Sequence, residues 1–177
     1  MIANSRPIEK DPRADAAPAA AATDRERAPD QAEPRLDDFV CFAIYSASHA
    51  INRVYKPVLD RLGLTYPQYL AMVLLWEKDG RTVGEIGERL RLESNTLTPL
   101  LKRLQAAGLL TRERDVEDER QVRIRLTAKG RELHAGAAAM RERLTSAARQ
   151  DVEELMRLRG EVCALRDALD ANAPSGR

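Results

Sequence analysis

Only two cysteines, Cys41 and Cys163, occur in 177 residues, and their wide separation excludes a disulfide framework. Any disulfide in this chain is an event and not a staple. No apolar run approaches the roughly 18 residues of a membrane span. The alanine-rich stretch near Ala16 to Ala22 is broken by Pro18 and follows Asp11 and Asp15, unlike a signal-peptide apolar region, so the chain is expected to be soluble and cytoplasmic. Aromatic residues make up 4% and glycines number nine, against 32% charged residues, a balance that favours helices. Neither sign of charge dominates, with 29 Lys and Arg against 28 Asp and Glu, so only the distribution of charge is informative. His49 and His134 have no Cys or acidic neighbours at ligand spacing, and no phosphate loop or hydrolytic triad appears. No cofactor, metal or enzymatic activity is expected.

Residues 1–35 are rich in Ala, Pro, Asp and Arg without an aromatic residue, and are expected to form a disordered tail. From Leu36 to about Leu62 the spacing of Phe39, Phe42, Ile51, Val54 and Val58 predicts a long helix, kinked at Pro57 and stopped by Gly63. Thr65-Tyr66-Pro67-Gln68 is a helix start that runs to about Lys78, and Thr82-Val83-Gly84-Glu85 opens a short helix with Val83, Ile86 and Leu90 on one face. A turn at Arg91 to Glu93 leads into a fourth helix, opened by Glu93 or Ser94. Leu97, Leu100, Leu101 and Leu104 form its buried stripe, and Gly108 ends it.

Two strand-like runs follow, Leu109 to Arg114 and Gln121 to Leu126, joined by a charged loop. Thr127 caps a helix to about Ser146, and another runs from about Asp151 to Leu169. Helix, turn, helix and charged hairpin is the order of a winged helix-turn-helix, whose second helix enters the major groove of DNA. The expected fold is therefore mostly α with a small β-hairpin wing. A winged helix-turn-helix over 63–126 is flanked by a helical dimerisation region over 36–62 and 127–172.

Asn95, Thr98 and Lys102 share one face of the fourth helix at spacings of three and four, and are the candidates for base contact. Thr96 and Arg103 lie beside them. Arg112, Arg114, Arg120, Arg123 and Arg125 lie on or beside the hairpin, with Arg120 at its tip as the minor-groove or phosphate candidate. A merely solvated surface is the other reading, since Glu117, Asp118 and Glu119 share that loop.

All four tyrosines, Tyr45, Tyr55, Tyr66 and Tyr69, follow Cys41 closely. Phenol donors to a thiolate are one way to make a cysteine reactive, whereas an isolated cysteine is more often a small buried hydrophobe. Cys41 and Tyr55 lie 14 positions apart, so on one straight helix they share a face but stand about 21 Å apart. A two-fold dimer with antiparallel first helices solves that separation, with Tyr66 joining Tyr55. Tyr45 and Tyr69 are expected to be packing residues. Apolar stripes on the two C-terminal helices, Leu133, Ala137, Met140 and Leu144, then Leu155, Leu158, Val162 and Leu165, suit a helical dimer core.

The runs Leu36-Asp37-Asp38-Phe39-Val40-Cys41-Phe42-Ala43-Ile44-Tyr45-Ser46, Val54-Tyr55-Lys56-Pro57, Leu64-Thr65-Tyr66-Pro67-Gln68-Tyr69, Thr96 to Leu104 and Asp118-Glu119-Arg120-Gln121-Val122 closely resemble the MarR family, in its organic hydroperoxide sensor branch. The resemblance covers about Leu36 to Leu144. It implies a homodimeric repressor on partly palindromic, double-stranded operator DNA, released when organic hydroperoxides oxidise Cys41, with Tyr55 and Tyr66 supplied by the partner subunit. Two-cysteine members of that branch carry a resolving cysteine near the position of Ser146, so this chain departs from them. Cys163 is either an alternative resolver or a buried helix cysteine. Without a resolver, a Cys41 sulfenic acid awaits a small cellular thiol and forms a mixed disulfide. Two further readings stay open: a MarR-type repressor released by a phenolic or other aromatic ligand, and a thiol peroxidase, for which the DNA module would be superfluous.

Overall fold

The computed structural model describes residues 35–115, 118, 120–137 and 139–173; the expected N-terminal tail lies outside the described residues, apart from its last member, Arg35. The described residues fall in two units, 35–39 and 40–173. In the first, Leu36–Asp38 forms a single 3-10 turn closed by the Phe39 N–H on the Leu36 carbonyl at 3.3 Å. The helix expected from Leu36 therefore begins later, at Val40. The physical reason is Phe39, whose extended backbone (φ −88°, ψ 116°) cannot continue a helical turn.

The second unit holds seven helices and three short strands among the described residues: α1 Val40–Leu62, α2 Tyr66–Glu77, β1 Arg81–Thr82, α3 Val83–Leu90, α4 Ser94–Ala106, β2 Leu110–Arg114, β3 Val122–Leu126, α5 Ala128–Ala137, α6 Ala139–Ala148 and α7 Val152–Asn172. Helix α1 runs through Pro57 and ends at Gly63, where φ is +67° and the Leu64 N–H reaches back to the Leu59 carbonyl at 3.0 Å. The Gln68 side chain then accepts from the Thr65 N–H at 2.8 Å, fixing the start of α2. Ala71, Met72, Leu74 and Leu75 place α2 in the middle of the core. Around it lie Val58, Ile86, Leu97, Leu101, Leu104 and Ile124, each almost fully buried and each contributing about 1.5–3 kcal/mol.

Thr82 and Glu85 cap α3 reciprocally, at 3.1 Å and 2.6 Å. Arg91 takes the left-handed conformation (φ 54°) that turns the chain into α4. A Cβ on Gly87 would lie 3.1 Å from the Leu92 carbonyl oxygen, so the absence of a side chain lets this turn close on α3. In α4, Leu97, Leu100, Leu101 and Leu104 are buried, as their spacing predicts.

β2 and β3 form the expected antiparallel hairpin, with Arg112 opposite Ile124. Sequence patterning does not reveal β1, which adds to the other edge of β3 with Arg81 opposite Ile124, giving the order β1-β3-β2. The helix expected from Thr127 to about Ser146 is recorded as α5 and α6 on either side of residue 138, which lies outside the described residues. Helix α7 is capped by Asp151, whose carboxylate accepts from the Glu154 N–H at 2.8 Å. No residue of α7 is buried: Leu155, Cys163 and Leu165 are half-buried, while Val152, Met156, Leu158, Val162 and Leu169 are exposed.

Candidate nucleic-acid interface and tyrosine-lined cavity

Helix α4 buries its leucines, which turns Asn95, Thr96, Lys102 and Arg103 outward, with Thr98 half-buried at the edge of the same face. The Asn95 amide nitrogen donates to Glu93 at 3.3 Å and its oxygen accepts from the Thr96 hydroxyl at 3.1 Å. Both are exposed, local bonds that a base edge can replace. Pro99 lies inside α4 without ending it.

The wing arginines divide into two groups. Arg123 is paired with Asp115, a carboxylate with a side-chain exposure of only 5%, and donates to the Gly80 carbonyl at 2.9 Å. Arg125 pairs with Glu113 at 3.2 Å, and its guanidinium lies against Gly80. These two hold the hairpin to β1 and the α2–β1 loop, so they are structural. Arg114 and Arg120 are exposed and, among the described residues, have no ion-pair partner, as is also true of Lys102 and Arg103. An acid beside a wing arginine can orient it by ion pairing, and Asp115 does so for Arg123. Asp118 instead accepts from the Arg120 backbone N–H at 3.0 Å and the Gln121 amide at 3.1 Å, because its short side chain closes the turn; residues 117 and 119 lie outside the described residues.

On the other side of α2, Tyr55, Tyr66 and Tyr69 form a ladder, with ring centres 5.7 Å and 6.4 Å apart. It continues through Trp76, 6.1 Å from Tyr69, to His134, 5.2 Å from Trp76. The Trp76 indole donates to the Gly130 carbonyl at 2.9 Å. The three phenols line a cavity of about 320 Å³ together with Met140, Leu144 and Leu155. Burial pushes all three phenol pKa values up, and neighbouring phenols add to the effect at Tyr55 and Tyr69. At neutral pH they are protonated, and each carries an O–H able to donate.

Cys41 is exposed on α1, is not among the residues lining this cavity, and is not brought to Tyr55 or Tyr66 within one chain. Tyr69 packs as expected, between Tyr66 and Trp76. Tyr45 does not: it is 62% exposed, near the start of α1, and touches only Phe42 and His49 of its own helix among the rings described. Cys163 is half-buried, and both cysteines are free.

A sequence profile of the transcriptional regulator SarA/Rot family matches residues 53–136, from mid-α1 into α5. The chain is 46% identical over 140 residues to the HTH-type transcriptional regulator TtmR of Methylorubrum extorquens (strain PA1), covering 79% of this chain and 72% of TtmR. It is 43% identical over 135 residues to the organic hydroperoxide resistance transcriptional regulator of Bacillus subtilis (strain 168), covering 76% of this chain and 92% of that one. Its fold also matches reduced AbfR bound to DNA, at TM-score 0.67 and 36% identity, over 77% of this chain and 94% of that one; AbfR is a protein of Staphylococcus epidermidis.

The chain belongs to the MarR family. Within it, the chain falls in the branch of the organic hydroperoxide regulators, and it is a DNA-binding transcriptional regulator. Among the described residues, no helix of this MarR-family protein is long and apolar enough to cross a membrane.

Sequence reasoning missed the residues that brace the family's winged module here. Asp79, in the α2–β1 loop, accepts from the Gly80 N–H at 2.8 Å, the Leu126 N–H at 2.9 Å and Arg131 at 2.7 Å. Burial alone would raise its pKa, but these hydrogen bonds, Arg131's first, outweigh burial and lower it. Asp115 does the corresponding work at the root of the wing. Their only sequence signal is an acid beside a turn, which is common on any surface.

Proposed function

We propose that the protein is a redox-sensing repressor that binds operator DNA as a homodimer and is released when an organic hydroperoxide oxidises Cys41. The observation that carries this reading is the cavity itself: three protonated phenols converge on a space that contains no thiol of its own chain, while Cys41 stands exposed about four helical turns from Tyr55. A second copy supplies the missing thiol if the first helices run antiparallel. The exposed apolar residues of α7, Val152, Met156, Leu158 and Val162, support the same assembly. A helix with no fully buried residue in its own subunit has little of the packing that stabilises most helices. Residues 36–62 and 127–172 then form the dimerisation region and 63–126 the DNA-binding module, with Asn95, Thr96, Thr98, Lys102, Arg103, Arg114 and Arg120 facing DNA.

In the sensing step the Cys41 thiolate attacks the terminal oxygen of the hydroperoxide. A sulfur–oxygen bond forms, the oxygen–oxygen bond breaks, and the organic fragment leaves as an alcohol after taking one proton, donated through a phenol and replaced from water. Sulfur is oxidised and the peroxide reduced, with no net electrons from elsewhere. The sulfenic acid then condenses with a thiol, releasing water. That thiol is either Cys163 or a small cellular thiol.

Intact mass and non-reducing electrophoresis after one equivalent of hydroperoxide test this on wild type, Cys41→Ser and Cys163→Ser. A covalent dimer needing both cysteines makes Cys163 the resolver; a Cys41-dependent sulfenic or mixed-thiol adduct without a crosslink means one-cysteine sensing. No Cys41 oxidation would reject the redox reading. The cavity of about 320 Å³ would then favour the second reading, a repressor released by a small phenolic or aromatic ligand without thiol chemistry.

A further inference from the structure

The turn between α3 and α4 meets the last turn of α7 across 79 positions of sequence, where the Arg91 guanidinium donates to the Asp170 carboxylate. Each residue stands where its own local structure disfavours it. Arg91 closes α3 in the left-handed conformation (φ 54°, ψ 43°), with its N–H on the Glu88 carbonyl at 3.2 Å. Glycine adopts that conformation without steric cost, so the backbone gives no reason for a long cationic side chain there. Asp170 lies in the last turn of α7, which carries no basic residue and where the carbonyl end of the helix dipole repels a carboxylate. Stability does not account for the pair either. Both side chains are more than half exposed, and an ion pair so placed adds little to a fold.

The place of Arg91 in the winged module supplies a reason. Ser94 opens α4, the recognition helix, three positions later. In a helix-turn-helix the N-terminal residues of that helix reach the base edges while the preceding helix crosses the backbone, so the turn joining them lies at the rim of the groove. A guanidinium at that rim suits a DNA phosphate, which it grips through two parallel hydrogen bonds. Here a carboxylate of the same chain takes that place.

We propose that Arg91 is a further phosphate contact of the DNA-binding module, and that Asp170 competes with DNA for it. The carboxylate holds the guanidinium until a phosphate displaces it, so the end of α7 keeps DNA affinity below what Arg91 would give unopposed. The inference concerns the reduced protein on DNA, and rests neither on the oxidation of Cys41 nor on the tyrosine-lined cavity.

The test uses the full-length reduced protein and a mixed-sequence DNA duplex, because a phosphate contact carries no base information. Fluorescence anisotropy across a salt series gives affinity and salt slope for wild type, Asp170→Asn, Arg91→Ala and the double variant. Asp170→Asn should bind about fivefold more tightly than wild type, the upper range for an exposed pair. The same substitution should have no effect in the Arg91→Ala background. Removing Arg91 from the Asp170→Asn protein should weaken binding and lower the slope of log affinity against log salt by about 0.9 for each phosphate lost. Weaker binding by Asp170→Asn would make the pair a brace for the recognition helix and overturn the competition, as would an unchanged affinity. A gain that persists without Arg91 would trace to the loss of a negative charge near DNA, and would overturn it too. An unchanged salt slope on losing Arg91 would reject the phosphate contact itself.

Discussion

Arg131 on α5 donates to the Asp79 carboxylate at 2.7 Å, although 52 positions separate them, and its second nitrogen reaches the Leu126 carbonyl at 3.0 Å. The Leu126 N–H donates to the other oxygen of Asp79 at 2.9 Å. One carboxylate thus joins the end of β3, the start of α5 and the loop after α2.

Replacing Asp79 should weaken the fold in a pH-dependent way. Asp79→Asn is expected to cost about 1–3 kcal/mol at pH 7, as charge-assisted bonds are lost. Because the folded pKa lies below the ordinary value of 3.8, the stabilisation is fully present above that value and disappears as pH falls through the lower folded value. Urea denaturation at pH 7 and near pH 3 should therefore show the gap between wild type and variant shrinking in acid. A gap of constant size would remove Asp79's ionised form from the account.

Gly130→Ala should destabilise the same region for a steric reason. A Cβ at Gly130 would lie 2.0 Å from the Leu109 carbonyl oxygen, a backbone atom that cannot step aside as a side chain can. The expected loss is at least the roughly 1–3 kcal/mol of core overpacking. The Trp76 indole bond to the Gly130 carbonyl should loosen with it, so near-ultraviolet circular dichroism and the urea midpoint should change together. An unshifted midpoint would mean that α5 can move away from the hairpin at little cost.

These two residues mark the boundary of what a sequence can disclose. The α4 stripe is legible because leucines at spacings of three and four can share a face only on a helix, and the caps at Thr65 and Thr82 are legible because their partners lie three positions away. The separation of Cys41 from Tyr55 follows from helix geometry alone. Strand β1 has two residues and thus no period to detect. Asp79 and Asp115 act through partners chosen by the tertiary fold, and Arg123 looks like any other wing cation until Asp115 is found beside it. Helix α1 starts at Val40 because of the backbone at Phe39, a local choice that apolar spacing from Leu36 onward cannot register.

The wing arginines should separate by what they hold. Arg120→Ala should lower affinity for all DNA sequences and reduce the slope of log affinity against log salt by about 0.9, one phosphate's worth. Asn95→Ala should mainly alter base preference, with a change of about 1–3 kcal/mol at one position. Arg123→Ala should instead lower thermal stability, since it leaves the buried Asp115 carboxylate without its guanidinium. Fluorescence anisotropy across a salt series, with one operator and one scrambled duplex, reads the first two. An unchanged salt slope in Arg120→Ala would take that side chain off the phosphate backbone.

The proposed cross-subunit site predicts an asymmetry that no single-copy site can produce. Consider a heterodimer in which one copy carries Cys41→Ser and the other carries Tyr55→Phe with Tyr66→Phe. If each thiol uses its partner's phenols, the surviving Cys41 sits in the double-Phe copy but meets the intact tyrosines of the Cys41→Ser copy. It should then react with hydroperoxide at the wild-type rate, with half the wild-type number of reactive thiols. If the phenols acted within one chain, that same Cys41 would face two phenylalanines. Its oxidation would be slowed as in the Tyr55→Phe, Tyr66→Phe homodimer, where a loss of about tenfold is expected from two missing donors to the thiolate. Stopped-flow thiol loss on tagged, co-purified heterodimers distinguishes the two outcomes. Slow oxidation in the mixed dimer would place the phenols and the thiol they serve in the same subunit, and would require α1 to depart from the continuous helix it forms from Val40 to Leu62.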